Sequence, residues 1–355
     1  MGGGGVAKLR KTLPKDFNEI VASGDVEKIK AALKKCEPNA IYSAYDKRTA
    51  LMNPNLPEEV IRWLVTEYGA DIHYANLYGR TALSEAAMSK PENIGLLASL
   101  GAQVNFQKDT YPTALIYAAM FFRAESVREL LRLGADVHRK GGYSDNDALT
   151  EALSRCQNAN IPQMAELAQI LIDAGIEITD GMKEQVRKIG ENFEFYRDSF
   201  APDYLPVCDA GLRKLYQIFD VPPVPHKQKF DGSAPISVKG KTWTQRYNEL
   251  WDMLVPGSGK AVFVQGEAIR IVGRLSHEIL DNGGMNWDED FRAMRNYLAE
   301  ILSGGKPADA AVIAQIKKIS PNTDEAVFEN IAKVVVEWIL DNPDPIRLGE
   351  VGYRR

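Results

Sequence analysis

A three-residue phrase returns at nearly constant intervals through the N-terminal half of the chain. Thr49-Ala50-Leu51, Thr81-Ala82-Leu83, Thr113-Ala114-Leu115 and the variant Asp147-Ala148-Leu149 lie 32, 32 and 34 residues apart. A second phrase keeps step with it: Gly69-Ala70-Asp71-Ile72, Gly101-Ala102-Gln103-Val104, Gly134-Ala135-Asp136-Val137 and a weaker Gly175-Ile176-Glu177-Ile178. Self-similarity at this period constrains the fold strongly. Each unit leaves an apolar face that only a neighbouring unit can cover, so the units must pile one on another.

The second copy shows how a unit is built. The Thr81 hydroxyl is expected to cap a first helix. Ala82, Ala86 and Ala87 are small enough for close helix packing, and Pro91 ends that helix. Ile94, Leu96, Leu97 and Leu100 supply the apolar stripe of a second helix, which Gly101 stops in a left-handed conformation. Residues 104–112 then form a finger leading to the next copy. The third copy repeats this at Thr113, Leu115, Ala118, Ala119, Val127, Leu130, Leu131 and Gly134. The first is degenerate, because Asn53-Pro54-Asn55-Leu56-Pro57 shortens its first helix. The fourth has a longer inter-helix turn over 155–162. Residues 17–33 read as a capping unit, and helices over 182–200 and 203–219 as the opposite cap.

These phrases resemble the ankyrin repeat. The resemblance implies an all-α fold, an ankyrin-repeat solenoid followed by a C-terminal helical bundle, and a protein that binds other proteins. Four domain segments are expected: a flexible leader over 1–12, the solenoid with its capping helices over 13–220, a linker over 221–241, and the bundle over 242–355. The linker opens on Val221-Pro222-Pro223-Val224-Pro225, which cannot continue a helix. Beyond it the pattern is helical: 243–254, 261–280, 287–302, 308–319 and 325–340, with an irregular tail from 341.

The fingers carry the candidate interaction residues. Tyr42, Tyr45 and Arg48 flank the first phrase. Tyr74, Asn76, Tyr78 and Arg80 precede the second, Phe106 and Tyr111 the third, and Tyr143 the fourth. Tyr and Arg on an exposed rigid edge are the composition of a protein-binding surface. Against this stands the reading that some tyrosines only wedge against the next finger. Met120 and Phe121 join the candidates because ankyrin repeats usually place exposed polar residues there, and Phe122 stands where they usually carry Gly.

Motifs for chemistry are weak. In Pro256-Gly257-Ser258-Gly259-Lys260 a phosphate loop fails at both ends, with Leu254 in place of the first Gly and Ala261 in place of Ser or Thr. His277-Glu278 begins like a zinc-protease motif, but Asp281 stands where the second His belongs. Gln265, Glu267, Arg270 and Arg274, with Asn286-Trp287-Asp288-Glu289-Asp290 after a glycine turn, could make an acid–base site or brace the bundle as an ion-pair network. Nothing supplies a nucleophile, so no catalytic residue, metal or cofactor is expected.

With 43 Lys and Arg against 48 Asp and Glu, the net charge is −5. That disfavours nucleic acid or an anionic membrane as partner. Three cysteines without a C-x-x-C pair fit a reducing cytoplasm. No apolar run reaches membrane-spanning length. The whole chain is also similar to bacterial ankyrin proteins with a helical C-terminal module. The stretches that carry this are Leu13-Pro14-Lys15-Asp16-Phe17, Leu250-Trp251-Asp252-Met253-Leu254-Val255-Pro256, Gln265-Gly266-Glu267 and Asn286-Trp287-Asp288. This resemblance implies a cytoplasmic immunity protein in a 1:1 complex with a toxin domain. The alternatives are a hydrolase-like enzyme centred on Glu267, Arg270 and Asp288, and an ankyrin scaffold or host-directed effector.

Overall fold

The computed structural model describes residues 8–197, 200–226 and 230–355. Helix makes up 54% of it and strand 4%, so the helical class expected from the sequence holds. The chain divides into two compact units. The first comprises residues 1–190 and 203–223, the second 191–202 and 224–355.

The first unit starts with a short parallel pair, β1 (Arg10–Thr12) and β2 (Cys36–Ile41), with helices α1 (Phe17–Ala22) and α2 (Val26–Leu33) between them. Strand β1 lies in the segment expected to be a flexible leader. Backbone bonds flanking the pair, from the Arg10 N–H to the Lys35 carbonyl and from the Leu13 N–H to the Ile41 carbonyl, tie that segment down. Residues 1–7 of the expected leader lie outside the described residues.

A 3-10 turn at Ala50–Met52 and α3 (Glu58–Thr66) follow, then three helix pairs. These are α4 (Ala82–Ser89) with α5 (Glu92–Ser99), α6 (Ala114–Met120) with α7 (Ala124–Arg132), and α8 (Ala148–Arg155) with α9 (Ile161–Asp173). Helix α4 packs on α6 and α6 on α8, while α5 packs on α7 and α7 on α9. The recurring phrases explain the regularity. Thr81, Thr113 and Asp147 cap α4, α6 and α8 by accepting the N–H groups of Ser84, Ile116 and Thr150 at 3.3, 3.3 and 2.8 Å. Thr49 makes no such bond, and only a 3-10 turn follows it.

The glycines Gly69, Gly101, Gly134 and Gly175 all have positive φ. After Gly69 the next residue's N–H reaches back six residues, to Leu64; after the other three it reaches back five, to Leu97, Leu130 and Leu171. That is the Schellman stop, which favours a residue without Cβ. Helix α10 (Asp180–Tyr196) begins in the first unit, and α11 (Leu205–Phe219) packs on α9. Residues 198–199, inside the helix expected over 182–200, lie outside the described residues.

The core of the second unit gathers around α13 (Val264–Ser276), against which α12 (Trp243–Leu254), α14 (Glu289–Ser303) and α16 (Glu325–Asp341) pack. Helix α15 (Ala310–Ile316) lies on α14 and α16. A capping box starts α12: Thr242 accepts the Gln245 N–H, and the Gln245 side chain accepts the Thr242 N–H, both at 3.2 Å. The expected single helix over 261–280 ends instead in a π-helical turn, His277–Asp281.

The expected linker, 221–241, is partly structural. Ile236 is buried in this core with Phe230 and Val238 against it, and its N–H donates to the Pro343 carbonyl. The tail from 341 is irregular but held. Gln265 donates to the Asn342 and Asp344 carbonyls and accepts the Ile346 N–H.

Candidate functional site

Three of the fingers are turns closed by the same kind of bond, the N–H groups of Tyr42, Asn76 and Gly141 donating to the carbonyls of Arg48, Arg80 and Asn146, while in the third finger the Gln107 side chain donates to the Tyr111 carbonyl. The tip of each finger includes a left-handed residue, Lys47, Gly79, Asp109 or Asp145. Asn76 is buried, and its side-chain carbonyl accepts both the Tyr78 and Arg80 N–H groups, which fixes the second turn.

Adjacent fingers are cross-linked. The Leu77 N–H donates to the Asp46 carbonyl, the Tyr111 hydroxyl to the Leu77 carbonyl at 3.0 Å, and the Gly142 N–H to the Thr110 carbonyl. Gly79 is needed for two reasons: its φ is +69°, and a Cβ there would collide with the Tyr111 side chain. At the bases of the units runs a second ladder. Asn39 and Asn105 side chains accept the N–H groups of Asp71 and Asp136, and the His73 ring accepts that of Gln103. Backbone this well bonded presents its side chains at little cost in ordering.

The aromatic candidates separate into two groups. Tyr42 faces inward: its hydroxyl accepts from Asn53 at 2.6 Å and its ring meets Phe17 edge-on. Burial pushes its pKa up. Phe106 is half-buried against His73, with ring centroids 5.5 Å apart, and Tyr74 and Met120 are half-buried as well. Tyr45 (81% exposed), Tyr143 (108%), Tyr78 (44%), Phe121 (44%) and Tyr111 (37%) face solvent. Phe122 takes φ = +55°, the left-handed conformation for which the repeat pattern usually supplies Gly.

Arg48 and Arg80 converge on a residue that the sequence reading passed over. Glu85 is only 8% exposed; its carboxylate lies 3.4 Å from Arg48 Nη2 and 3.9 Å from Arg80 Nη1. The second distance is an ion pair without a hydrogen bond. Among the described residues, Glu85 Oε1, Arg48 Nε, Arg80 Nε and Asn76 Nδ2 are buried without hydrogen-bond partners. Burial raises the Glu85 pKa despite the two guanidiniums. Arg80 also stands over the rings of Tyr117 and Tyr78, and the Tyr117 hydroxyl donates to the Tyr78 carbonyl at 2.7 Å. The available signal was an acid at position 85 in a helix otherwise rich in small residues.

In the second unit the other candidate cluster is assembled differently. Glu267 is fully buried and accepts from the Ala261 N–H at 2.9 Å, from Arg270 Nε at 2.8 Å and from the Tyr353 hydroxyl at 2.6 Å. Burial alone would raise its pKa, but these bonds pull it below the usual carboxylate range. Arg270 also donates to the Arg355 carbonyl, and Arg355 pairs with Asp288 at 2.6 Å. Asp288 in turn caps α14 by accepting the Phe291 N–H. Glu267, Arg270 and Asp288 thus tie the tail to α13 and α14.

Residues 256–260 form the turn between α12 and α13. Among the described residues no group of three or more His, Cys, Asp or Glu is placed to hold a metal ion, and no helix is long and apolar enough to cross a membrane. No protein-family model matches the chain, and no curated protein matches it significantly.

Proposed function

We propose that this chain is a non-enzymatic, cytoplasmic immunity protein, an ankyrin-repeat solenoid followed by a helical bundle. It binds a cognate bacterial toxin domain in a 1:1 complex and neutralises it by covering the active or substrate-binding site. The observation that carries the binding part is the set of outward aromatic side chains, Tyr45, Tyr78, Tyr111, Phe121 and Tyr143, in the first unit. Four of them stand on cross-bonded fingers and Phe121 at the end of α6. Large aromatic residues on a preorganised backbone lose little entropy on docking and make strong anchors.

The ankyrin reading is supported by capped first helices, Schellman stops and neighbour-to-neighbour packing at the period of the phrases. The choice of a toxin as partner rests on the sequence resemblance. The hydrolase reading gains no support from Glu267 and Arg270, which are engaged with each other and with the tail.

Co-expression with a toxin encoded beside the gene tests the proposal. The intact protein should restore growth, and Tyr45→Ala with Tyr78→Ala should abolish or sharply reduce protection while the fold is retained. Undiminished protection by the folded double variant would remove the finger surface from the mechanism.

A further inference from the structure

A groove in the second unit has a chemistry that the finger surface does not share. Its aromatic floor is Trp243, Tyr247 and Phe328, and its rim carries the carboxylates of Asp281, Glu325 and Glu329. It encloses about 450 Å3, within the range of ligand pockets, and is open to solvent. Helices α12, α13 and α16 supply the walls. The π-helical turn His277–Asp281 forms one lip, and π-turns within helices are frequent at functional sites. Leu280 on that lip is exposed and continues the apolar surface outward.

We propose that this groove docks a lysine- or arginine-bearing segment of a partner protein, with the aliphatic stem on the aromatic floor and the cation at the carboxylate rim. Charge complementarity decides the occupant. Three carboxylates line the groove, and the cationic groups facing them are Lys333 and, when protonated, His277. Lys333 pairs with Glu329 at 2.7 Å, and His277 with Asp281 at 2.7 Å. Glu325 has no ion pair among the described residues.

The protein's own Lys333 shows the recognition geometry in place. Its ammonium sits 5.1 Å from the Trp243 ring centroid while bonding Glu329. A second cation brought by a partner finds the carboxylates of Asp281 and Glu325 among the residues that line the same groove as Tyr247 and Phe328. An aromatic face and a nearby acid each attract a cation, and together they discriminate it from a neutral side chain of equal length. A protein segment fits better than a small cation because the apolar surface runs past the acids to Leu280.

The test is a titration of the full-length protein, followed through the Trp243 indole N–H resonance, which Trp243→Phe identifies. The probe is acetyl-Leu-Lys-Leu-Arg-Leu-amide. Its neutral counterpart has norleucine and citrulline at the two basic positions. The basic peptide should shift the Trp243 signal with millimolar affinity. The neutral peptide should bind at least about fivefold more weakly, and Asp281→Asn with Glu325→Gln should remove most of that difference. Both acids are exposed, so the variant fold should be unaffected, and circular dichroism checks this.

Three results overturn the proposal. These are equal binding of the two peptides, no Trp243 shift up to about 10 mM peptide, and saturation by spermidine at the same concentration as the peptide. The last assigns the groove to small cations. Because the groove and the fingers share no residue, none of these results bears on the toxin-neutralisation reading.

Discussion

Glu85 and Glu267 are both carboxylates buried beside arginine, and they have opposite characters. Glu267 has three donors and a lowered pKa; Glu85 has one long bond, a distant second guanidinium and a raised pKa. The difference follows from what surrounds them. In the second unit the tail closes over Glu267, and Tyr353 and Arg355 add bonds to it and to Arg270, whose Nη1 is left buried without a hydrogen-bond partner among the described residues. In the first unit the Arg48 and Arg80 side chains remain about one-third exposed, with Arg80 over the Tyr78 ring. A densely bonded network holds a fold together. An incompletely bonded one at an aromatic surface is free to gain partners on binding.

The largest effect should come from breaking the densely bonded network. Glu267→Ala leaves Arg270 as an uncompensated buried charge and should destabilise the protein by about 3–5 kcal/mol, measured by urea unfolding. Glu85→Gln should be neutral or stabilising, because the ionised form is disfavoured where it stands. Equal losses from the two variants would dissolve the contrast. Next in size is binding: Tyr45→Ala with Tyr78→Ala should cost at least about 2 kcal/mol of affinity for the proposed toxin partner, by calorimetry. Tyr42→Phe should leave affinity unchanged, since that ring faces Phe17.

The two acids also sharpen the contrast through pH. A lowered folded pKa makes the Glu267 contribution complete above 4.5, the ordinary value, and lost as pH falls through the folded pKa. The penalty of Glu267→Gln should therefore shrink below pH 4.5. A raised folded pKa means that ionising Glu85 weakens the fold as pH rises above 4.5, so the advantage of Glu85→Gln should grow in that direction. Unfolding midpoints of wild type and variants across pH 3–7 test both signs. The smallest effect concerns the repeated phrase itself. Thr81→Ala should cost about 1 kcal/mol for the lost cap, and Thr49→Ala less, because Thr49 makes no cap bond.

What the sequence revealed and what it hid divide along local and non-local lines. The caps at Thr81, Thr113 and Asp147 and the stops at Gly101 and Gly134 are encoded within a few residues, so the phrases disclosed them. Tyr42 and Tyr45 look alike in sequence, yet one is half-buried and the other exposed. Asn53 and Phe17, which are remote in the chain, decide that. Strand β1 carries only exposed side chains and is fixed by backbone pairing, so no hydrophobic pattern announced it. Prolines 343 and 345 correctly signalled an irregular tail. Its attachment depends on Gln265 and Glu267, nearly eighty residues or more away in sequence. Glu85 was missed because its significance comes from two fingers meeting over it.

Hydrogen–deuterium exchange of the protein, free and bound to the proposed toxin partner, is the most direct measure of the division of labour. Protection should appear at the fingers, residues 43–48, 76–80, 108–111 and 142–145, with exchange at Glu267, Arg270 and the tail unchanged. Protection confined to the second unit, with the fingers exchanging as in the free protein, would contradict the account.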